Sequence, residues 1–241
     1  MYQIIVMKKS TVTEIKERFD KDVERFSNAE TGQVATIDAT ISLELITEAA
    51  KSIVPNAQHV LDVGCGAGNY TIKMLSKLPQ LNCTLVDLSE PMLHRAKERV
   101  SAITQGNIIS IQGDIRDIPL EAQRYDIIVA GAVLHHLRDD QDWETTFSKL
   151  YAILKPGGCL MISDLVIQET SAVNTYIWEQ YGAYLEGLNG TEYKNKVFAY
   201  IEKEDTPRSM TYQLELMKKV GFTKTEILHK NLCFGAFGGI K

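Results

Sequence analysis

The sequence predicts a doubly wound α/β domain built on a mostly parallel sheet, and three observations carry that reading. Short apolar runs alternate five times with helical periodicities between residues 59 and 166. The run through Ile127, Ile128, Val129 and Ala130 is apolar almost throughout, as a strand covered on both faces must be. A glycine-rich turn follows the first of these strands directly and opens a helix.

Composition sets the frame. The chain has 241 residues, 26 Lys and Arg against 31 Asp and Glu, and 44% hydrophobic residues. This is ordinary globular composition, and α/β domains reach ~200 residues or more before splitting, so one elaborated domain over 1–241 is expected. A net charge of −5 without a basic block argues against a nucleic-acid partner. The longest apolar runs fall far short of the ~18 residues of a membrane span. Met1 to Met7 is apolar but lacks the basic leader of a secretory signal, and Met7 offers a second start. Cys65, Cys83, Cys159 and Cys233 stand apart, with no zinc-ligand spacing. They read as small buried hydrophobes in a reducing cytoplasm, and no metal is expected. A homodimer is compatible with all of this.

The elements follow in order. Val12, Ile15, Phe19, Val23 and Phe26 trace one face of a lead-in helix over 11–30, and a second helix covers 40–53 up to Pro55. His59 to Val63 is the first strand, Ala67 to Leu78 a helix, and Cys83 to Val86 the second strand. Ser89 caps the next helix, with Pro91 in its first turn and Leu93, Ala96, Val100 and Ile103 as its buried stripe. Strands at 108–111 and 125–133 come next, then helix 142–154, ended by Lys155-Pro156-Gly157-Gly158, and a fifth strand from Cys159 to Val166. Residues 172–212 hold eight of the 19 aromatics, where even spreading gives about three, and read as an inserted helical cap. Met210, Leu214, Met217 and Val220 form a stripe closed by Gly221, and runs 222–229 and 231–237 pair antiparallel beside the sheet.

The chemistry gathers at strand ends. In Asp62-Val63-Gly64-Cys65-Gly66-Ala67-Gly68 the glycines let backbone approach a ligand closely, and the helix behind offers free N–H groups. Alone, such a turn is equally a tight turn with no ligand. Asp87 ends the next strand, 23 residues beyond Gly64, where a carboxylate accepts from both hydroxyls of a ribose. A dinucleotide fingerprint wants glycine at 69, where Asn69 stands, so a nucleoside is favoured over NAD. Gln112-Gly113-Asp114-Ile115, ending the third strand, suits an adenine, with Asp114 accepting from its amino group and Ile115 packing on the ring; by itself it is equally a turn.

These segments, together with Asp87-Leu88-Ser89-Glu90-Pro91-Met92, Leu134-His135-His136-Leu137 and Leu154-Lys155-Pro156-Gly157-Gly158, resemble the class I S-adenosylmethionine-dependent methyltransferases over roughly 55–167. The resemblance implies a Rossmann-like seven-stranded sheet with N-terminal helices and a helical insert after the fifth strand. It implies lid helices over 1–54, a cofactor-binding core over 55–168, a cap over 169–209 and a C-terminal helix and strands over 210–241. It places the backbone around Gly64, Cys65 and Gly66 along the methionine part, with Asp62 orienting the loop and the amino group. Asp87 holds the ribose, Asp114 and Ile115 hold the adenine, Ala130, Gly131 and Ala132 pass under the sulfonium, and Gly68, Leu88, Met92 and Gly113 complete the cofactor-binding set. The lead-in helix, aromatic insert and C-terminal segment are similar to the branch containing carboxy-S-adenosylmethionine synthase and its small-molecule methyltransferase relatives. That synthase uses an insert arginine, whereas 189–207 here has Lys194, Lys196 and Lys203 and no arginine, so plain methyl transfer leads.

Methyl transfer from a sulfonium needs alignment and a dry site more than it needs a base. If a proton leaves the acceptor, His135 or His136 is placed to take it; alternatively one caps the following helix and the other is exposed. A metal pair is disfavoured because adjacent side chains diverge. Asp164 touches substrate or caps its loop, and Phe19, Tyr176, Tyr181 and Tyr200 line an acceptor pocket or form helix core. The expected function is methyl transfer from S-adenosylmethionine to a small molecule, with carboxy-S-adenosylmethionine synthesis or non-catalytic binding as alternatives.

Overall fold

A computed structural model describes residues 9–28 and 33–241 of the chain. The Met1 to Met7 start and the last two residues of the expected lead-in helix lie outside the described residues. Three helices, α1 (Val12–Asp20), α2 (Val23–Ser27) and α3 (Ala39–Ile53), precede the alternating core. That core runs β1 (His59–Val63), α4 (Asn69–Lys77), β2 (Asn82–Asp87), α5 (Glu90–Ser101), β3 (Ile108–Gln112), β4 (Tyr125–Gly131), a 3-10 turn at Leu134–His136, α6 (Asp140–Ile153) and β5 (Leu154–Leu165). The chain closes with α7 (Ser171–Glu204), α8 (Met210–Val220), β6 (Lys224–Asn231) and β7 (Phe234–Ile240).

The seven strands form one sheet in the order β3-β2-β1-β4-β5-β7-β6. The first five are parallel, and β7 inserts antiparallel between β5 and β6. Strand order reverses between β1 and β4, which opens a crevice beyond their C-terminal ends.

The central strands are buried because helices cover both faces. One face packs Leu61, Ile128 and Leu160 against Trp143, Phe147 and Leu150 of α6 and Leu216 and Met217 of α8. The other packs Val60, Ile127 and Val129 against Ile46 and Ala50 of α3, Met74 of α4 and Leu93 of α5. Helix α3 therefore belongs to the layer that covers the sheet, whereas α1 and α2 contribute residues to the larger cavity beyond the strand ends. A third, smaller cluster joins Tyr181 and Leu185 of α7 to Leu165 and Phe234. All four cysteines are free and buried.

Several boundaries differ from expectation for local reasons. The single lead-in helix is two helices, broken where the Lys21 N–H turns back onto the Arg18 carbonyl and the Asp22 N–H onto the Phe19 carbonyl. Strand β4 stops at Gly131, because Ala132 adopts φ +53°. Lys155 to Gly158 does not separate helix from strand but bulges from the start of β5: the β4 partner moves from Leu154 to Cys159 while β4 advances only from Tyr125 to Ile127. Ile103 lies past the end of α5 and is 48% exposed. The buried stripe of α8 is Met210, Gln213, Leu216 and Met217, with Leu214 and Val220 only partly covered. The last two strands sit two to three residues later than expected, since Leu232 takes the left-handed turn position.

Phe147 is fully buried between the sheet and α8. Phe147→Ala is expected to lower unfolding free energy by about 3–5 kcal/mol, read as a reduced urea midpoint with an unchanged slope.

Candidate active site

The glycine turn is shaped by what surrounds it. At Gly64 (φ +65°) a β-carbon would lie 2.5 Å from a Val133 methyl, so no larger residue fits. At Gly66 (φ +50°) nothing stands within 4 Å of that position, so the backbone there faces open space, as a ligand cradle requires. Asp87, half-buried at the end of β2, accepts from Gly66 N–H at 2.8 Å and from Ser89 N–H at 2.9 Å. It thus ties the turn to the next strand, and burial raises its carboxyl above the ordinary range. Cys65 donates its N–H to the Val86 carbonyl at 2.9 Å, and burial pushes its thiol up.

Asp62 sits inside the sheet at 1% exposure. One carboxylate oxygen, Oδ2, accepts from the Thr71 hydroxyl at 2.6 Å and the Thr71 N–H at 3.1 Å, binding β1 to the first turn of α4. The other, Oδ1, is buried without a hydrogen-bond partner among the described residues. Burial pushes this carboxyl up to about 7. An orphan acceptor beside an open glycine cradle is what a ligand carrying an ammonium group would satisfy, so these residues fit the methionine part of S-adenosylmethionine.

At the end of β3, Asp114 is held by Arg116 through an ion pair at 2.6 Å, which outweighs burial and keeps its carboxyl below the ordinary range. Arg116 also reaches Asp142 at 2.6 Å. Ile115 is 7% exposed and Gly113 donates to the Asp87 carbonyl, so the ends of β2 and β3 are fastened together. Leu88, Asp114 and Arg116 line a cavity of about 330 Å³ with Ser10 to Val12 and Ile15, His136 and Arg138. Met92 and Gly68 lie behind it: Met92 is buried, and Gly68 packs on Ala96.

A second cavity, about 580 Å³, opens beyond the ends of β4 and β5. Ala132, Ser163 and Asp164 form its floor, with Tyr70 beside them. Ala130 is buried beneath, and Gly131 is the residue that lets the Tyr70 ring lie across β4. Phe19, Phe26, Tyr181, Tyr193, Tyr200 and Phe234 give it aromatic walls from lid and cap. Arg18 bridges those walls. It donates to both Glu204 oxygens at 3.0 Å and to the Tyr200 hydroxyl at 2.8 Å, stacked between the Phe19 and Tyr200 rings. Of the expected pocket residues, Phe19, Asp164, Tyr181 and Tyr200 come together here. Tyr176 does not: it is 57% exposed, because five residues of helix turn it roughly 140° away from Tyr181.

His135 and His136 are neither helix caps nor exposed; Asp139 caps α6. Their rings lie 4.3 Å apart and both turn toward Asp205, so adjacent side chains do not diverge here. The His135 N–H donates to Asp164 at 3.1 Å, and its Nδ1 is hydrogen-bonded to the same carboxylate. Burial opposes charge on His135, but Asp164 and Asp205 outweigh it and raise its ring to about 9. Burial, with the charge of His135, lowers His136 instead. His136 lines both cavities. Asp205, which no local motif marks, arrives from the end of α7, where Thr206 N–H meets the His135 carbonyl at 2.7 Å.

Residues 60–158 match the family described as a methyltransferase domain. The chain is 28% identical over 197 residues to carboxy-S-adenosyl-L-methionine synthase of Vibrio atlanticus, covering 80% of each. It is 27% identical to malonyl-[acyl-carrier protein] O-methyltransferase of Priestia megaterium, covering 74% of this chain and 62% of that one. Human N-acetylserotonin methyltransferase, solved with S-adenosylmethionine, shares the fold at a TM-score of 0.64 and 18% identity, covering 96% of this chain and 59% of that one. Residues 60–158 therefore carry a methyltransferase domain, and the chain is similar to S-adenosylmethionine-dependent methyltransferases. It is likewise similar to the carboxy-S-adenosylmethionine synthases.

The Asp62 carboxyl gives a stability test. Between its ordinary value of 3.8 and about 7 the folded chain retains a proton that the unfolded chain has released, so stability falls across that window as pH rises. Asp62→Asn is expected to raise the unfolding free energy of the ligand-free protein by about 1–3 kcal/mol at pH 8. The gain should vanish near pH 4, and calorimetric affinity for S-adenosylmethionine should drop.

Proposed function

We propose that the protein transfers a methyl group from S-adenosylmethionine to a small, partly apolar molecule seated in the larger cavity, in the cytoplasm. The observation that carries this reading is the position of that cavity. It lies at the C-terminal ends of β4 and β5, beside the glycine cradle, and is enclosed by aromatic side chains and entered by two histidines. Its volume of about 580 Å³ suits a metabolite-sized acceptor and not a polynucleotide.

When bound, the sulfonium supplies an already activated methyl group. The Asp62 and Asp87 carboxylates, the Gly66 backbone and Ile115 hold the donor's polar and flat parts. Ala132, Ser163 and the aromatic walls orient the acceptor and exclude water. An acceptor proton passes to a ring nitrogen of His136, neither of which has a hydrogen bond of good geometry among the described residues. Asp205 Oδ1, 3.2 Å from Nδ1, stabilises the charge that results. Asp164 fixes His135, and through it the turn, from behind.

A second reading, synthesis of a carboxylated form of the donor, is favoured by Lys196. It lines the larger cavity and is without an ion-pair partner among the described residues, whereas Lys194 is tied to Glu186 at 2.8 Å. Mass spectrometry of the nucleoside that copurifies separates the two readings. S-Adenosylmethionine or S-adenosylhomocysteine supports methyl transfer, and the carboxylated form promotes the second reading. Failure of a folded sample to bind either plain ligand in calorimetry, with none copurified, removes the first.

Asp87→Ala is expected to weaken S-adenosylmethionine binding at least tenfold by calorimetry, and a change under twofold would show that Asp87 does not hold the ribose. Once an acceptor is found, His136→Ala should lower kcat by about 10²–10⁴-fold with donor affinity kept within twofold; full turnover would remove the base assignment.

A further inference from the structure

We infer that His135, His136 and Asp205 form a binding site for one divalent transition-metal ion of the zinc class, set in the wall of the larger cavity. One ligand atom from each residue lies within 4.8 Å of the others. Asp205 Oδ1 is 3.2 Å from His136 Nδ1 and 3.7 Å from His135 Nε2. A tetrahedral ion with bonds of about 2.0–2.1 Å holds its ligand atoms about 3.4 Å apart, so the two spacings from Asp205 are near coordination distance and the two imidazole nitrogens, within 4.8 Å, close the remainder on binding.

The polar accounting points the same way. Among the described residues, both His136 ring nitrogens and Asp205 Oδ1 are buried without a hydrogen bond of good geometry, although Asp205 Oδ1 lies 3.2 Å from His136 Nδ1. Buried polar atoms are rarely left unmet, and an ion answers the Asp205 oxygen and one His136 nitrogen at once. His135 is oriented for ligation as well. Its Nδ1 is engaged by Asp164, which leaves Nε2 facing Asp205, the arrangement in which a carboxylate behind a metal-ligating histidine fixes ring and tautomer. Two imidazoles and one carboxylate form a donor set that zinc and its neighbours accept.

The site stands on side-chain geometry, but its consequence for turnover rests on the proposed methyl transfer. An ion there uses the lone pair by which His136 receives a proton, so occupancy should slow the reaction. The full chain, free of any affinity tag and stripped with chelator, is titrated with Zn²⁺ by calorimetry and with Co²⁺ by visible absorption. One ion per chain at micromolar affinity or tighter is expected, with the absorption of a four- or five-coordinate cobalt. His136→Ala and Asp205→Asn should each weaken binding at least tenfold, and Asp164→Asn about 10–100-fold. S-Adenosylmethionine affinity, measured on the same samples, verifies that each variant is folded; His136→Gln replaces any that is not. No saturable binding up to millimolar metal, or variants that bind like the parent, overturns the site. Loss of S-adenosylmethionine binding by the parent chain would instead sink the methyl-transfer reading, whatever the metal result.

Discussion

Covering β1 and β4 with helices on both faces leaves the middle of the sheet no place for polar chemistry except at the strand ends. Asp62 is the exception that tests the rule. Its carboxylate lies inside the sheet, answered on one oxygen by Thr71 and on the other by nothing among the described residues. The resulting pull toward the protonated form opposes stability near neutral pH, a cost natural sites accept where function needs the group. Everything else polar in the site, from Asp87 to Asp164, stands at the edge that the reversal of strand order opens.

That edge alone makes a groove; enclosure comes from segments distant in sequence. The lid helix α1 reaches across to the end of α7, where Arg18 joins Glu204 and Tyr200 between two aromatic rings. Lys9 and Arg138 fasten the same helix end, donating to the Glu202, Asp205 and Glu204 carbonyls. These are the carbonyls that a helix C-terminus leaves unmet, so the cations complement it as well as fixing the lid. The same convergence brings Asp205 onto the histidine pair. Closure of the cavity and assembly of its most polar cluster are thus one structural event.

Much of this was legible in the chain. Helical periodicity marked α3, α5 and α8, turn chemistry marked the Ser89 cap and the Gly221 stop, and the apolar runs marked the five parallel strands. The lead-in helix was misread because its apolar spacing continues through Lys21 and Asp22 although its backbone bonding does not. Tyr176 was misread because aromatic enrichment records how many rings a cap holds, not which side of the helix each occupies.

By itself the sequence determined the alternation of strands and helices, the glycine turn and the acidic strand ends, because periodicity, glycine conformation and cap chemistry are properties of a few neighbouring residues. Only the tertiary structure decided that Asp205 faces His136, that Arg18 spans lid and cap, and that two adjacent histidines converge rather than diverge. Such contacts join residues up to 186 positions apart, and they depend on the directions in which packed helices present their side chains, which no local pattern encodes.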